Sequence, residues 1–286
     1  MYTSFHALFI AATVIVGTLA PSHARSLGTH DNDNTELAAS ALAGYDALLR
    51  AHVDDLGFID YAALHADPAA LHAYVDSLAD PTNIPPAADY DARLAALINA
   101  YNAFTLQLIL DHWDQFESGQ TTSITQLHDG KPWDQPLWNL AGQTVSLNQL
   151  EHELIRRDLL TEDGVVGAAE PRLHWAVVCA AYSCPPLRAE AYTAADLEAQ
   201  LADQERRVLL SDDPRFIQTT PAPGNQNQGH RVTAVTQLFN WYGSDFGSPW
   251  TPYLQQATGL RVPDTPQFLP YDWQLNAQPN RPRPEK

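Results

Sequence analysis

Residues 91–113, DARLAALINAYNAFTLQLILDHW, form the longest helical pattern in the chain. With Leu94 at zero on a wheel of about 100° per residue, Leu97, Ile98, Tyr101, Thr105 and Leu108 fall within roughly 60° of it. Leu106, Ile109 and Leu110 widen the arc, and Arg93, Gln107 and Asp111 share the opposite face. An arc this wide predicts a central helix buried over most of its surface. Asn99 and Asn102 fall inside the arc. A buried amide must find partners, so these two either bridge neighbouring loops or orient a catalytic group.

Shorter elements are expected around this helix. Leu37, Leu42, Tyr45, Leu48 and Leu49 follow helical spacing after Thr35, a plausible N-cap, and a second helix is expected over 68–78, capped by Asp67. VSLNQLEHELIRRDLL (145–160) opens with Ser146 and, three residues on, Gln149, the pattern of a capping box. Its core stripe is Leu147, Leu150, Leu154 and Ile155, with Glu151 in the middle of the stripe and His152 at its edge beside Leu159. A carboxylate aimed at a core must be paired or hydrogen-bonded. A helix over 194–210 follows. RFIQTT (215–220) and HRVTAV (230–235), joined by a turn-rich loop, predict a hairpin. Helices are expected over 237–242 and over 249–258, the latter with Gly259 at its C′ position. The fold class is therefore α+β: an α-dominant single domain with a small antiparallel sheet or hairpin.

Residues 8–20, LFIAATVIVGTLA, are an apolar run followed by PSHAR, where Ser22 and Ala24 fit a signal-peptidase site. The run is short for a membrane span, which needs about 20 residues. Residues 1–24 read as a cleaved signal peptide, 25–34 as a disordered lead-in, 35–276 as the domain and the Pro-rich 277–286 as a disordered tail. A periplasmic or secreted protein with no integral span after cleavage is the expectation. Residues 1–24 hold no Asp, Glu, Lys or Arg, so the formal net charge of −18 belongs wholly to the exported part. Such a charge repels phosphate backbones and anionic lipid surfaces, which disfavours nucleic acid and membrane-surface partners. A peptide or small-molecule ligand is left. With 45% hydrophobic residues and seven tryptophans, the chain can bury a core without covalent help, and two cysteines are too few for a disulfide scaffold.

Both cysteines lie in RLHWAVVCAAYSCPPL (172–187): Cys179 and Cys184, with His174 five positions before the first. Three readings are open. The cysteines could pair as a disulfide if a turn brings their Cα atoms within about 7 Å. A metal site would draw on His174, Cys179, Cys184 and His152, but His-x4-Cys-x4-Cys does not match the spacings of known zinc sites, so neither metal nor cofactor is expected. A nucleophilic cysteine would need a base within reach and a third group to orient that base. Periodicity turns His152, Asn99 and Asn102 inward without saying that they meet.

INAYNAFTLQLIL (98–110), SLNQLEHELIR (146–156), EPRLHWAVVCAAYSCPPLRAEAYTAADLEAQL (170–201), LFNWYGSDF (238–246) and LPYDWQLN (269–276) together resemble the domain of unknown function 547 family. The resemblance runs from about Tyr45 to Asn276. Asn99, Tyr101, Asn102 and Ala103 match its N-x-Y-N-A pattern, and Glu151 and His152 its I-E-H, with Leu150 in place of Ile. Cys179 and residues 183–186 match its third motif. In plant-type members the second cysteine position can be serine, which implies that a Cys179–Cys184 bridge is not the family's common purpose.

The resemblance points to Cys179 as the thiol of interest, with His152 as base, Asn102 or Asn99 as orienter, Glu151 as a tuning or separate acid, and His174 as a rival base. Backbone N–H groups of residues 180–183 are the candidates for an oxyanion hole. An exported thiol-dependent hydrolase or acyl transferase acting on a peptide, amide or thioester bond is the leading expectation. Its rivals are a non-catalytic cell-envelope binding module with a buried polar network, and a dithiol redox or disulfide-stapled protein.

Overall fold

The computed structural model describes residues 28–156, 170–221 and 229–280. The expected signal peptide, residues 25–27 of the lead-in and residues 281–286 of the tail lie outside the described residues.

Helix α1 (Gly28–His52) starts before Thr35, so residues 28–34, expected as a lead-in, are helical. Tyr45, Leu48 and Leu49 of its stripe are buried, whereas Leu37, placed on the same stripe, is 68% exposed. Helix α2 (Tyr61–Ala66) is held at its start by Asp60, whose Oδ1 accepts from Ala63 N–H at 3.0 Å. At six residues it is too short for periodicity to reveal. It displaces the expected role of Asp67, which closes α2, while Pro68 stands at the start of α3 (Ala69–Ser77) without a side-chain cap.

Helix α4 (Tyr90–Asp111) is the central helix its pattern predicts, capped by Asp89 and buried on nearly every face from Leu94 to Leu110. It is long and apolar enough to cross a membrane by composition alone, but most of it is enclosed by the rest of the fold. A short helix, α5 (Trp113–Glu117), follows. Strands β1 (Trp138–Leu140) and β2 (Gln143–Val145) form a hairpin over Ala141 (φ 54°) and Gly142 (φ 79°). Two positive φ values in a two-residue loop suit the strand twist. An Ala-Gly pair does not announce such a turn, and the sequence reading missed it.

Helix α6 (Leu147–Gln149) carries the predicted capping box: Gln149 N–H donates to Ser146 Oγ at 3.1 Å and Ser146 N–H to Gln149 Oε1 at 3.0 Å. The helix then widens into a π-turn over Leu150–Ile155, closed by Arg156 N–H on Glu151 C=O at 3.0 Å. Such wide turns favour functional positions. The expected continuation of this helix, Leu159 included, lies outside the described residues. Helices α7 (Leu173–Ala176) and α8 (Leu197–Leu209) come next, α8 beginning later than Ala194. Strands β3 (Ile217–Pro221) and β4 (His230–Val235) pair antiparallel as expected. A third strand, β5 (Gln267–Phe268), adds parallel to β4, so this sheet is mixed. Helices α9 (Leu238–Trp241) and α10 (Thr251–Thr258) complete the set, with Gly259 left-handed at φ 68° after α10.

The buried side chains divide into two clusters. The larger surrounds α4 and takes in α1, α3 and the segment around 176–192; the smaller gathers Trp175, Phe216, Phe239, Phe246 and Leu254. The segment 173–192 runs along the seam, and three devices fix it there. Asn102 grips it from α4: Nδ2 donates to Ala176 C=O at 3.0 Å and Oδ1 accepts from Val178 N–H at 2.9 Å. Asn99, one turn earlier, holds Tyr192 in the same two-bond manner, at 2.8 and 2.9 Å. From the other side the C-terminal segment laces on, with Tyr182 N–H to Gln274 C=O, Ser183 N–H to Asp272 C=O and Asn276 N–H to Ala180 C=O. Residues 278–280, assigned to the tail, are tied to this edge by Gln278 N–H on Ile59 C=O at 2.9 Å. Gly57 (φ 79°) closes the seam, since a Cβ there would lie 2.4 Å from Pro186.

Asn102→Ala would leave a carbonyl and an N–H unpaired in the core, each costing about 1–3 kcal/mol. The expected result is a loss of about 2–4 kcal/mol in urea unfolding. A loss below about 1 kcal/mol would show that water replaces the clamp.

Candidate functional site

The seam opens to solvent as a cleft of about 240 Å³ that takes its lining from the π-turn, the 174–185 segment, the end of α9 and residues 271–273. Cys179 and Cys184 both line it. They are free thiols in contact, Sγ to Sγ 2.9 Å, and Cys179 N–H also donates to Cys184 Sγ at 2.9 Å. Tyr271 Oη lies 3.3 Å from Cys179 Sγ. The residue after Cys179, Ala180, is left-handed at φ 61°, a conformation that strains a side chain with a Cβ and is tolerated where the surroundings enforce it. Here the lacing of residues 180–183 to the C-terminal segment does so.

The two thiols differ in acidity. Hydrogen bonding from Cys184, with further bonds from Tyr271 and the Ala181 N–H, holds the Cys179 thiol below the ordinary thiol range against the opposing effect of burial. Burial, then the neighbouring Cys179, pushes the Cys184 thiol well up. Burial also keeps Tyr271 protonated, so its O–H can donate to a thiolate at Cys179. Cys179 is half-buried and Cys184 buried, so the more acidic thiol is also the more accessible one.

Beside the thiols runs a chain of ionisable groups. His174, 2% exposed, bonds Asp245 through Nε2 at 2.8 Å and stacks on Tyr242 at 4.3 Å. Burial lowers its pKa from the usual 6.5, although Asp245 opposes this. Burial pushes the Asp245 carboxyl up, but hydrogen bonds from His174 and Arg156 more than offset it and leave it below the ordinary value. Arg156 donates from Nε to Asp245 at 2.8 Å and stands 3.0 Å from His152 Nδ1. A guanidinium has hydrogens to give and no lone pair to offer, so His152 Nδ1 accepts and the ring proton sits on Nε2. Glu151, 7% exposed, lies 3.8 Å from His152 Nδ1 and is hydrogen-bonded to the Tyr242 hydroxyl.

The sequence-predicted residues separate accordingly. Cys179, Cys184, Glu151, His152 and His174 converge on one cleft. Asn99 and Asn102 do not orient a histidine: both amides are spent on backbone groups, where the peptide segments they hold would otherwise be unpaired. His152 as base is also corrected, because Arg156 occupies its Nδ1 and Nε2 carries a proton. Two of the proposed oxyanion donors, Tyr182 N–H and Ser183 N–H, are bonded to Gln274 and Asp272, and the Ala181 N–H points at Cys179. His174, offered for a metal set, directs Nε2 to Asp245; among the described residues no group of three or more His, Cys, Asp or Glu is arranged to hold a metal ion.

Sequence reasoning missed Arg156, Tyr242, Asp245 and Tyr271. All four lie within quoted motifs, SLNQLEHELIR, LFNWYGSDF and LPYDWQLN, whose polar residues were a usable signal.

As His174 has a lowered pKa, an unfolded chain with a value near 6.5 takes up the proton first as pH falls, and stability is lost from about pH 7 downward until the folded value is passed. Asp245 acts with the same sign lower down: its stabilisation is full above about 3.9 and is lost as pH falls through the depressed folded value. The expected result is a fall in unfolding free energy between pH 7.5 and 5.5, with a slope from this histidine of at most about 1.4 kcal/mol per pH unit. His174→Gln should flatten that slope; an unaltered slope would place the titration elsewhere.

No curated protein and no solved structure matches the chain. The C-terminal motifs around Asp245 and Tyr271 fall outside the segment that a family model covers. Residues 86–209, which supply both cysteines, Glu151, His152 and His174 to the cleft, match the family model described as "Protein of unknown function, DUF547", the family that the sequence motifs resemble.

Proposed function

We propose that this chain is an exported thiol-dependent hydrolase or acyl transferase acting on a peptide, amide or thioester bond, with Cys179 as nucleophile. The observation that carries the reading is the convergence on one open cleft of an acidified, half-buried thiol and a histidine held by a carboxylate. Thiol, imidazole and carboxylate are the parts that acyl transfer through sulfur requires. Export rests on the apolar run and cleavage pattern of residues 8–24.

In this mechanism His174 is held by Asp245 through Nε2–H, so its Nδ1 carries the lone pair that receives the Cys179 proton. The thiolate adds to the acyl carbonyl, and collapse of the tetrahedral adduct breaks the bond to the leaving group, which takes the proton back from His174. Water, or another nucleophile in a transferase, then attacks the thioester and passes its proton to Nδ1. The product leaves with its acyl group, and Cys179 recovers its proton. With the backbone donors at 181–183 engaged, the Ala180 N–H and the Nε2–H of His152 are the donors left to a developing oxyanion.

A second reading, a dithiol redox protein, is favoured by the 2.9 Å contact between an acidified, accessible thiol and a buried one of raised pKa, the asymmetry of an attacking and a resolving cysteine.

Iodoacetamide labelling of the reduced protein followed by mass spectrometry is expected to modify Cys179 first, with a midpoint below the usual thiol value of about 8.5. On a panel of acyl thioesters and peptide amides, Cys179→Ala should lose at least about 10³-fold in kcat/KM and His174→Gln about 10²–10⁴-fold, while Cys184→Ala, which removes the hydrogen bond that acidifies Cys179, should retain turnover with its pH profile shifted upward. Loss of turnover in Cys184→Ala as well would favour the redox reading. Labelling of Cys179 only after unfolding would remove both.

A further inference from the structure

The cleft wall opposite the ionisable chain is aromatic to a degree that core packing does not require. Trp241, Tyr271 and Trp273 touch one another in a closed set, with ring centroids at 4.8, 5.9 and 4.5 Å, and Trp133 extends it at 5.8 Å from Trp273. Trp241 and Trp273 stack at an interplanar angle of 24°, while Tyr271 tilts by 54° and 52° against them and Trp133 by 58° against Trp273, so the set curves into a cup. The cup is wet, for Trp241 is 44% exposed and Trp133, Tyr271 and Trp273 are only partly buried. The rings pack on one another and, for Trp133, Tyr271 and Trp273, on the core, and the part of each that stays solvent-accessible suits the set to a ligand.

The charge around the cup has one sign. Among the described residues Glu151 is the only carboxylate lining the cleft, and no described lysine or arginine lines it. Arg156 is engaged by Asp245 and by His152 Nδ1, and it sits over the Tyr242 ring at 5.0 Å. Among the described residues no lysine or arginine pairs with Glu151, whose described contacts are the Tyr242 hydroxyl and the edge of His152. A buried carboxylate without a cation favours whatever positive group can reach it, and the quadrupoles of the surrounding rings favour the same sign.

We propose that the cleft recognises its substrate through a cationic amine or quaternary ammonium group, seated in the Trp241–Tyr271–Trp273 cup with Glu151 as its counter-charge. The proposal rests on reading the cleft as a substrate site, and it names the substrate class: an acyl compound whose acyl or leaving part carries a positive nitrogen. The formal net charge of −18 over the chain draws cations toward the protein as a whole, and the cup decides where one is held.

The test uses binding alone, so that it stands or falls apart from the chemistry. Choline chloride and its neutral carbon isostere 3,3-dimethyl-1-butanol are titrated by calorimetry and tryptophan fluorescence into the full chain carrying Cys179→Ala. Choline is expected to bind about tenfold or more tightly than the isostere. Glu151→Gln should bring the two together, and Trp241→Ala, a change at an exposed position that leaves the core intact, should weaken choline several-fold. Equal affinity for the two probes, or no binding of either, overturns the proposal. Tight choline binding with no turnover by the unmutated protein would keep the cation site and remove the enzyme reading; turnover of acyl compounds irrespective of their charge would do the reverse.

Discussion

Two hydrogen bonds from the Asn102 amide hold the backbone on which the cleft is built. Residues 176 and 178 each have a buried peptide group with no strand beside them to pair with, and a core that left them open would be costly. The amide supplies a donor and an acceptor at the spacing of one peptide unit, so an α-helix can grip an extended segment without a sheet. Everything that follows in the chain inherits that placement: Cys179 is the next residue, Ala180 is forced left-handed, and residues 180–183 turn to meet the C-terminal segment. That segment brings Tyr271 to the thiol and the Trp241–Tyr271–Trp273 rings to the cleft wall.

The electrostatics of the site follow from how few positive charges reach it. One guanidinium, Arg156, serves a carboxylate and a histidine at once. Through Asp245 it helps orient His174, and through Nδ1 it fixes the tautomer of His152, so the two histidines have opposite capacities: one can receive a proton and the other can donate a hydrogen bond. His152 and Arg156 are four residues apart, the spacing at which side chains on a helix meet, so Arg156 lies against the ring of His152 while Glu151 stays on the buried face. With Arg156 committed, the charge of Glu151 is left for the cleft.

The acidity difference between the two cysteines has an equally local cause. Cys184 is sealed and gives its hydrogen to Cys179, and Tyr271 and the Ala181 N–H add to the same acceptor. Burial by itself raises both thiols. Their contact creates the asymmetry, which both the acyl-transfer and the redox readings use.

Much of the fold was legible in the sequence. The apolar arc of residues 94–110 specified a buried central helix, Ser146 and Gln149 specified a helix start, and alternation specified the β3–β4 pair, because these signals depend on neighbours within a few residues. Elements of three to six residues, α2 and the β1–β2 hairpin, were hidden because they are shorter than the period that would reveal them. For the site, the sequence determined which residues face inward: Asn99, Asn102, Glu151 and, at the edge of its stripe, His152. Only the tertiary structure decided who meets whom. Asp245 joins His174 across 71 residues and Tyr271 joins Cys179 across 92, and an inward-facing side chain carries no record of the partner on the opposing element. The tautomers of the two histidines follow the same logic, since each is fixed by the atom that lies about 3 Å from a ring nitrogen, and that distance exists only once the chain has folded.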